Sequence, residues 1–245
     1  MLSHRLVAHR GFQHLYPENT LASIQGAITA GALNIELDVL FSSDGEAIIY
    51  HDKDLQRVSG LDKEVQHLPL EQLVKLPANE QSRLGDQFPE ERIAPLSALL
   101  PIIEAHPQVR FFVEAKRSGL EFIGLEAALD KLTTLLAPVK DQVILISFHK
   151  EFAAAARQQG WLAGAVLESW NDLQHPLVQA TALDYVFCNQ RHIPETANLN
   201  QLQSILVVYE IGDPKGAIDW FRRGADMVET FNIGHLLTEL NRNSL

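Results

Sequence analysis

The chain has 245 residues, 46% apolar and 21% charged, which excludes a disordered or fibrous protein and leaves enough apolar surface for a sizeable core. Twenty Lys and Arg against 31 Asp and Glu give a formal net charge of −11, so duplex nucleic acid and anionic membrane surfaces are not favoured partners. With Cys188 as the single cysteine, neither an intrachain disulfide nor a thiolate zinc cluster can form, and the thiol is expected in the core.

The first ten residues, Met1 to Arg10, lack the long apolar run and small-residue cleavage site of an export signal. No stretch reaches the roughly 18 consecutive apolar residues a membrane-crossing helix needs. The expectation is a cytoplasmic protein with no stable membrane insertion.

In chain order, short apolar runs alternate with amphipathic segments, the pattern of parallel strands joined by crossover helices. The expected strands are Arg5 to His9, Asn34 to Val39, Arg110 to Ala115, Gln142 to Ser147, Leu162 to Val166, Tyr185 to Cys188, Ile205 to Tyr209 and Met227 to Thr230. Between the first two, Thr20 precedes a helical face of Leu21, Ile24 and Ile28, closed by Gly31. Leu125, Leu129, Leu132 and Leu136 line a second helix, which Pro138 is expected to stop. Asp213, Pro214 and Gly224 supply cap, first turn and left-handed exit for a helix over about 214–223. Eight such units suit a closed α/β barrel of the TIM (β/α)8 kind in one domain over 1–245. The polar stretch from about 52 to 94, with Gly60, Pro69, Pro77, Gly85 and Pro89, reads as a small insertion after the second strand that either frames a substrate pocket or is an irregular decoration.

Strand alternation places Glu36 and Asp38 of Asn34-Ile-Glu-Leu-Asp-Val39 on one face. Neighbouring carboxylates in a barrel interior repel unless one binds a proton or a hard cation accepts their oxygens. The third strand, Phe111-Phe-Val-Glu-Ala-Lys116, adds Glu114 as a third oxygen donor and aims Lys116 at whatever that cation binds; for Lys116 alone, pairing with Glu114 or reaching solvent is the commoner role. His9, before the turn at Gly11, and His51, after a short strand-like run Ala47 to Tyr50, can flank the cation as an acid-base pair. The other eight histidines are expected on the surface or at caps. An all-oxygen site suits magnesium and calcium alike.

His9-Arg-Gly11, Pro17-Glu-Asn-Thr20, Gly31-Ala32, Glu36-x-Asp38, Asp44-Gly45, His51-Asp52 and Glu114-x-Lys116 stand in an order and spacing that resembles the glycerophosphodiester phosphodiesterase family. The resemblance covers essentially the whole chain, is strongest from Leu6 to Lys116, and continues in Pro95-Leu96, Ser147-Phe148, Gly164 to Leu167 and Asn189. It implies a TIM barrel, a divalent cation (Mg2+ or Ca2+) and hydrolysis of a small-molecule glycerophosphodiester to glycerol 3-phosphate and an alcohol. Carried over residue by residue, it makes Glu36, Asp38 and Glu114 metal ligands, His9 and His51 the acid-base pair, Arg10 and Lys116 phosphate contacts, and Glu18 a supporting residue. The family's tryptophan on strand seven and its Thr-Asp pair after strand eight are missing here. Tyr209 and Phe231 stand in those stretches, beside Glu210 and Glu229, to which the sequence assigns no role. Two rival readings keep the same barrel: internal attack giving a cyclic phosphate, and a catalytically silent phosphodiester-binding protein. Neither the alcohol nor the oligomeric state is legible.

Overall fold

A computed structural model describes residues 3–242. Eight parallel strands close a ring: β1 (Leu6–Ala8), β2 (Asn34–Phe41), β5 (Arg110–Ala115), β6 (Val143–Ser147), β7 (Leu162–Leu167), β8 (Tyr185–Asn189), β9 (Ile205–Tyr209) and β10 (Met227–Thr230). Ala8 opposite Ile35 and Val7 opposite Glu229 tie β1 to both neighbours and seal the barrel. Two short antiparallel strands, β3 (Ala47–Ile49) and β4 (Ala94–Pro95), extend the sheet from the far end of β2. The eight expected barrel strands are all present, three with the expected ends and the others shifted by at most two residues.

Covered on both faces, the strands read as apolar runs. Ile35, Leu37 and Val39 of β2 pack outward in the core shared with the helices. Val7, Phe112, Ile144, Val166, Phe187 and Val207 fill the barrel interior. There Phe112 meets Tyr185 and Phe187 edge to face, at 5.0 and 5.2 Å between ring centres, and this aromatic plug floors the space above it. Cys188 is buried as expected.

Helix Leu21–Thr29 begins at a capping box: Thr20 Oγ1 accepts from the Ser23 amide and Ser23 Oγ from the Thr20 amide. That box fixes where the preceding Pro17–Thr20 turn sits. Asp213 accepts from the Gly216 amide at the start of helix Pro214–Arg223, which leaves through a left-handed Gly224. Helix Leu125–Leu136 stops before Pro138, although the chain runs on through the proline as a 3-10 turn, Ala137–Gln142, where the ring fits an opening position. Among the described residues, no helix is long and apolar enough to cross a membrane.

The insertion departs from the sequence expectation. It is no irregular polar decoration: Leu55, Val58, Val65 and Leu73 gather with Leu40, Ile48, Tyr50 and Ile93 into a second small core against the β2–β3 ribbon. Its helices run only four residues each, too short to print a helical period on the sequence. Nor does it wall the central cavity, whose lining includes no residue from 52 to 94.

At the exit of β1, Gly11 turns with φ of +76°, and a Cβ built there would lie 2.5 Å from Ser23 Oγ and 2.6 Å from the Ser23 carbonyl carbon. The backbone strain alone costs about 1–3 kcal/mol, before the clash. Gly11→Ala is therefore expected to lower the unfolding midpoint by several degrees in a thermal melt; an unchanged midpoint would show that the β1 exit is not held against the helix.

Candidate active site

The strands deliver their chemistry at one end of the barrel. Glu36 and Asp38 point inward from β2, and Asp38 lies opposite Glu114 of β5 in the parallel register. One oxygen from each of Glu36, Asp38 and Glu114 lies within 4.8 Å of the others, and all three side chains are buried. The two carboxylate strands are thus neighbours, as the sequence anticipates. A cavity of about 340 Å³ opens above them, with His9, Arg10, His51 and Lys116 in the same lining.

The cluster holds more negative charge than its surroundings neutralise. Burial first, then Asp38, Glu229 and Glu114, raise the Glu36 carboxyl well above its usual range. Burial also raises Glu114, although Lys116 opposes it. Asp38 behaves oppositely: against the burial penalty, Lys116 and Arg10 hold it far below a normal aspartate. Lys116 Nζ lies 2.7 Å from Glu114 Oε1 and 3.2 Å from Asp38 Oδ1, so its pairing with Glu114 is real but does not take it out of the cavity. Three converging buried oxygens, two of them on carboxyls short of positive charge, are a donor set that fits a hard dication.

Arg10 sits between the carboxylates and the turn that follows. Its backbone takes a left-handed φ of +51°, which aims its amide at Glu36 Oε2, 3.0 Å away. Its guanidinium reaches Glu18 Oε1 at 2.7 Å and Asp38 Oδ2 at 3.2 Å. Burial and then the Arg10 charge pull the His9 imidazole down to about 3, so it is neutral at ordinary pH. His51 Nδ1 and Asp52 Oδ1 lie 2.6 Å apart; with a proton there donated to Asp52, Nε2 is the nitrogen left for a ligand.

Sequence reasoning missed three residues that hold this constellation. Asn19 donates from Nδ2 to Asp38 Oδ2 at 2.8 Å and accepts the Asp38 amide on Oδ1, clamping that carboxylate from both sides. Arg57, from the insertion, grips both Glu18 oxygens at 2.6 and 2.8 Å and reaches Asp52 Oδ2 with Nε at 2.7 Å. Glu80 accepts the Glu18 amide at 2.8 Å. Glu18 is therefore the hinge of a chain of ion pairs running from Arg10 through Arg57 and Asp52 to His51, and the insertion acts on the site from behind. The Pro17-Glu-Asn-Thr20 run pointed to Asn19, but no local signal ties Arg57 or Glu80 to Glu18, which lies 39 and 62 residues away from them.

At the less regular end of the match, Tyr209 lines the cavity, whereas Phe231 is 38% exposed, packs near His14 and is absent from the lining. Glu210 and Glu229 do line it.

Residues 9–188 match the model of the Glycerophosphoryl diester phosphodiesterase family. The chain is 33% identical over 152 residues to glycerophosphodiester phosphodiesterase 1 of Mus musculus, covering 62% of this chain and 45% of that protein. It is 30% identical over 149 residues to the glycerophosphodiester phosphodiesterase of Bacillus altitudinis, covering 59% of this chain and 58% of that one. The matches therefore span about half the length of these curated relatives. Among solved structures, an Oleispira antarctica phosphodiesterase in complex with the product sn-glycerol-3-phosphate aligns with a TM-score of 0.83 at 24% identity, over 97% of this chain and 96% of that one. One from Silicibacter pomeroyi aligns with a TM-score of 0.84 at 17% identity, over 98% and 94%. These two likenesses show the fold.

Proposed function

Because the chain belongs to the Glycerophosphoryl diester phosphodiesterase family, we propose that it is a metal-dependent hydrolase of a glycerophosphodiester, releasing glycerol 3-phosphate and an alcohol in the cavity above Glu36, Asp38 and Glu114. The observation that carries this reading is the convergence of those three buried carboxylates beside two imidazoles and two cationic side chains at one end of a closed barrel.

Glu36, Asp38 and Glu114 are the residues that would hold the dication, calcium or magnesium, and its charge would stabilise the negative charge that grows on the phosphoryl oxygens. The remaining steps belong to the chain. Arg10 and Lys116 hold the nonbridging oxygens, and with a dication in place the site would carry the net positive charge by which an acidic protein binds an anion. A water oxygen bonds to phosphorus as the bond from phosphorus to the alcohol oxygen breaks. Neutral His9 takes the water proton, and His51, oriented through Nδ1 by Asp52, gives one to the departing alcohol oxygen. With one dication, three carboxylates, two basic side chains and the phosphodiester, the formal charge closes at zero.

Arg57 orients both halves of this machinery. Arg57→Ala is expected to lower kcat by about one to two orders of magnitude, since a displacement of about 1 Å in positioned groups costs up to about 100-fold. Arg57→Lys should recover little of that loss, because an ammonium cannot replace the fork that spans Glu18 and Asp52. Steady-state kinetics on both variants checks this; full activity in Arg57→Ala would remove the insertion from the mechanism.

The test of the function is a chelated enzyme resupplied with one cation at a time and given sn-glycero-3-phosphoethanolamine, with phosphorus NMR of the products. The expected outcome is glycerol 3-phosphate, formed only with a dication. A cyclic phosphate product would mean internal attack by the glycerol hydroxyl, and binding without product would mean a silent barrel.

A further inference from the structure

One buried carboxylate in the cavity has no part in that machinery. Glu229 points inward from β10, opposite Val7 and on the same face as Met227. It is only 4% exposed, it lines the cavity, and its Oε1 has no hydrogen-bond partner. Among the described residues it forms no ion pair, whereas Arg10 and Lys116 are engaged with Glu18, Asp38 and Glu114. An unpaired buried carboxylate is costly, so its retention at a cavity wall points to a partner that arrives with the ligand.

The surroundings say which kind. Glu210 lines the same wall, and its charge acts on Glu229. Tyr209, on the neighbouring strand β9, lines the cavity next to Glu229, while Phe148 and Phe187 line it farther round. Two carboxylates beside an aromatic ring suit a cation, through direct charge attraction and the ring's negative face. With Glu210 on the same wall, a cation on the alcohol gains attraction there that a neutral or anionic alcohol lacks.

We propose that Glu229, with Glu210 and Tyr209 beside it, selects glycerophosphodiesters whose alcohol carries an ammonium group, primary or quaternary. This inference rests on the phosphodiesterase reading above and names its substrate class. Glu229 is then a specificity residue, and the stretch where the chain leaves the family's pattern is where its selectivity is built.

The experiment compares kcat/KM for four glycerophosphodiesters at one saturating cation: the ethanolamine and choline esters, which are cationic at the alcohol, and the glycerol and inositol esters, which are not. The wild-type enzyme is expected to favour the cationic pair by at least about tenfold. Glu229→Gln keeps the shape and removes the charge, and should reduce that ratio about tenfold; Glu229→Met is measured as well in case the amide variant folds poorly. The wild-type panel alone can overturn the proposal. Equal or faster turnover of the glycerol and inositol esters overturns the proposal, as does a loss in Glu229→Gln that is uniform across all four. No hydrolysis of any ester with any cation would instead overturn the phosphodiesterase reading, and this inference with it.

Discussion

Replacing Glu36 with alanine is expected to abolish hydrolysis, with a loss of at least about three orders of magnitude in kcat/KM that added cation does not restore. Glu36 is one of three buried oxygen donors within 4.8 Å of each other, and it also anchors the turn by accepting the Arg10 amide at 3.0 Å. Removing it takes away one of the three proposed ligands and frees Arg10, the residue proposed to hold phosphate. Glu114→Gln separates those effects: it keeps side-chain volume and touches no part of the β1 turn, yet deletes one negative donor and the 2.7 Å ion pair with Lys116. Its activity should fall comparably while its thermal midpoint stays at or above that of the wild type, because a neutral amide spares the cluster part of its repulsion. Metal titration of both variants by calorimetry, beside the kinetics, distinguishes lost binding from lost fold. A Glu114→Gln enzyme within tenfold of wild type would remove β5 from the site.

The second large effect is expected at His51. His51→Ala should lower kcat by about 100- to 10,000-fold, the range for a lost general acid, with a much smaller change in KM. The discriminating measurement uses the leaving group. An ester of a phenol of low pKa departs without needing a proton, so His51→Ala should lose far less on such a substrate than on a choline or ethanolamine ester. His9→Ala should lose equally on both, since its proposed work is on the attacking water. Equal sensitivity to the leaving group in the two variants would refute the division of labour between the imidazoles.

The barrel was legible because strands covered on both sides carry continuous apolar runs, and β5, β9 and β10 begin and end where those runs do. The site was legible where alternation does the work: Glu36 with Asp38, and Glu114 with Lys116, follow from the two-residue repeat. What escaped was carried by distance or by short elements. Arg57 meets Glu18 across 39 residues, and its chain position, inside a four-residue helix of a polar stretch, announces nothing. The small core of Leu55, Val58, Val65 and Leu73 is spread over turns that hide its apolar period. Glu229 could be seen as a carboxylate near the barrel mouth, but its burial and its missing partner required the neighbouring strands.

The claim on which the rest depends is that Glu36, Asp38 and Glu114 share one dication. Crystals soaked in manganese, followed by anomalous scattering, test it directly. The expected result is one strong peak at coordinating distance from an oxygen of each of the three side chains, lost in crystals of Glu36→Ala. A peak elsewhere, or no peak at these residues at a manganese concentration that supports turnover, would contradict it.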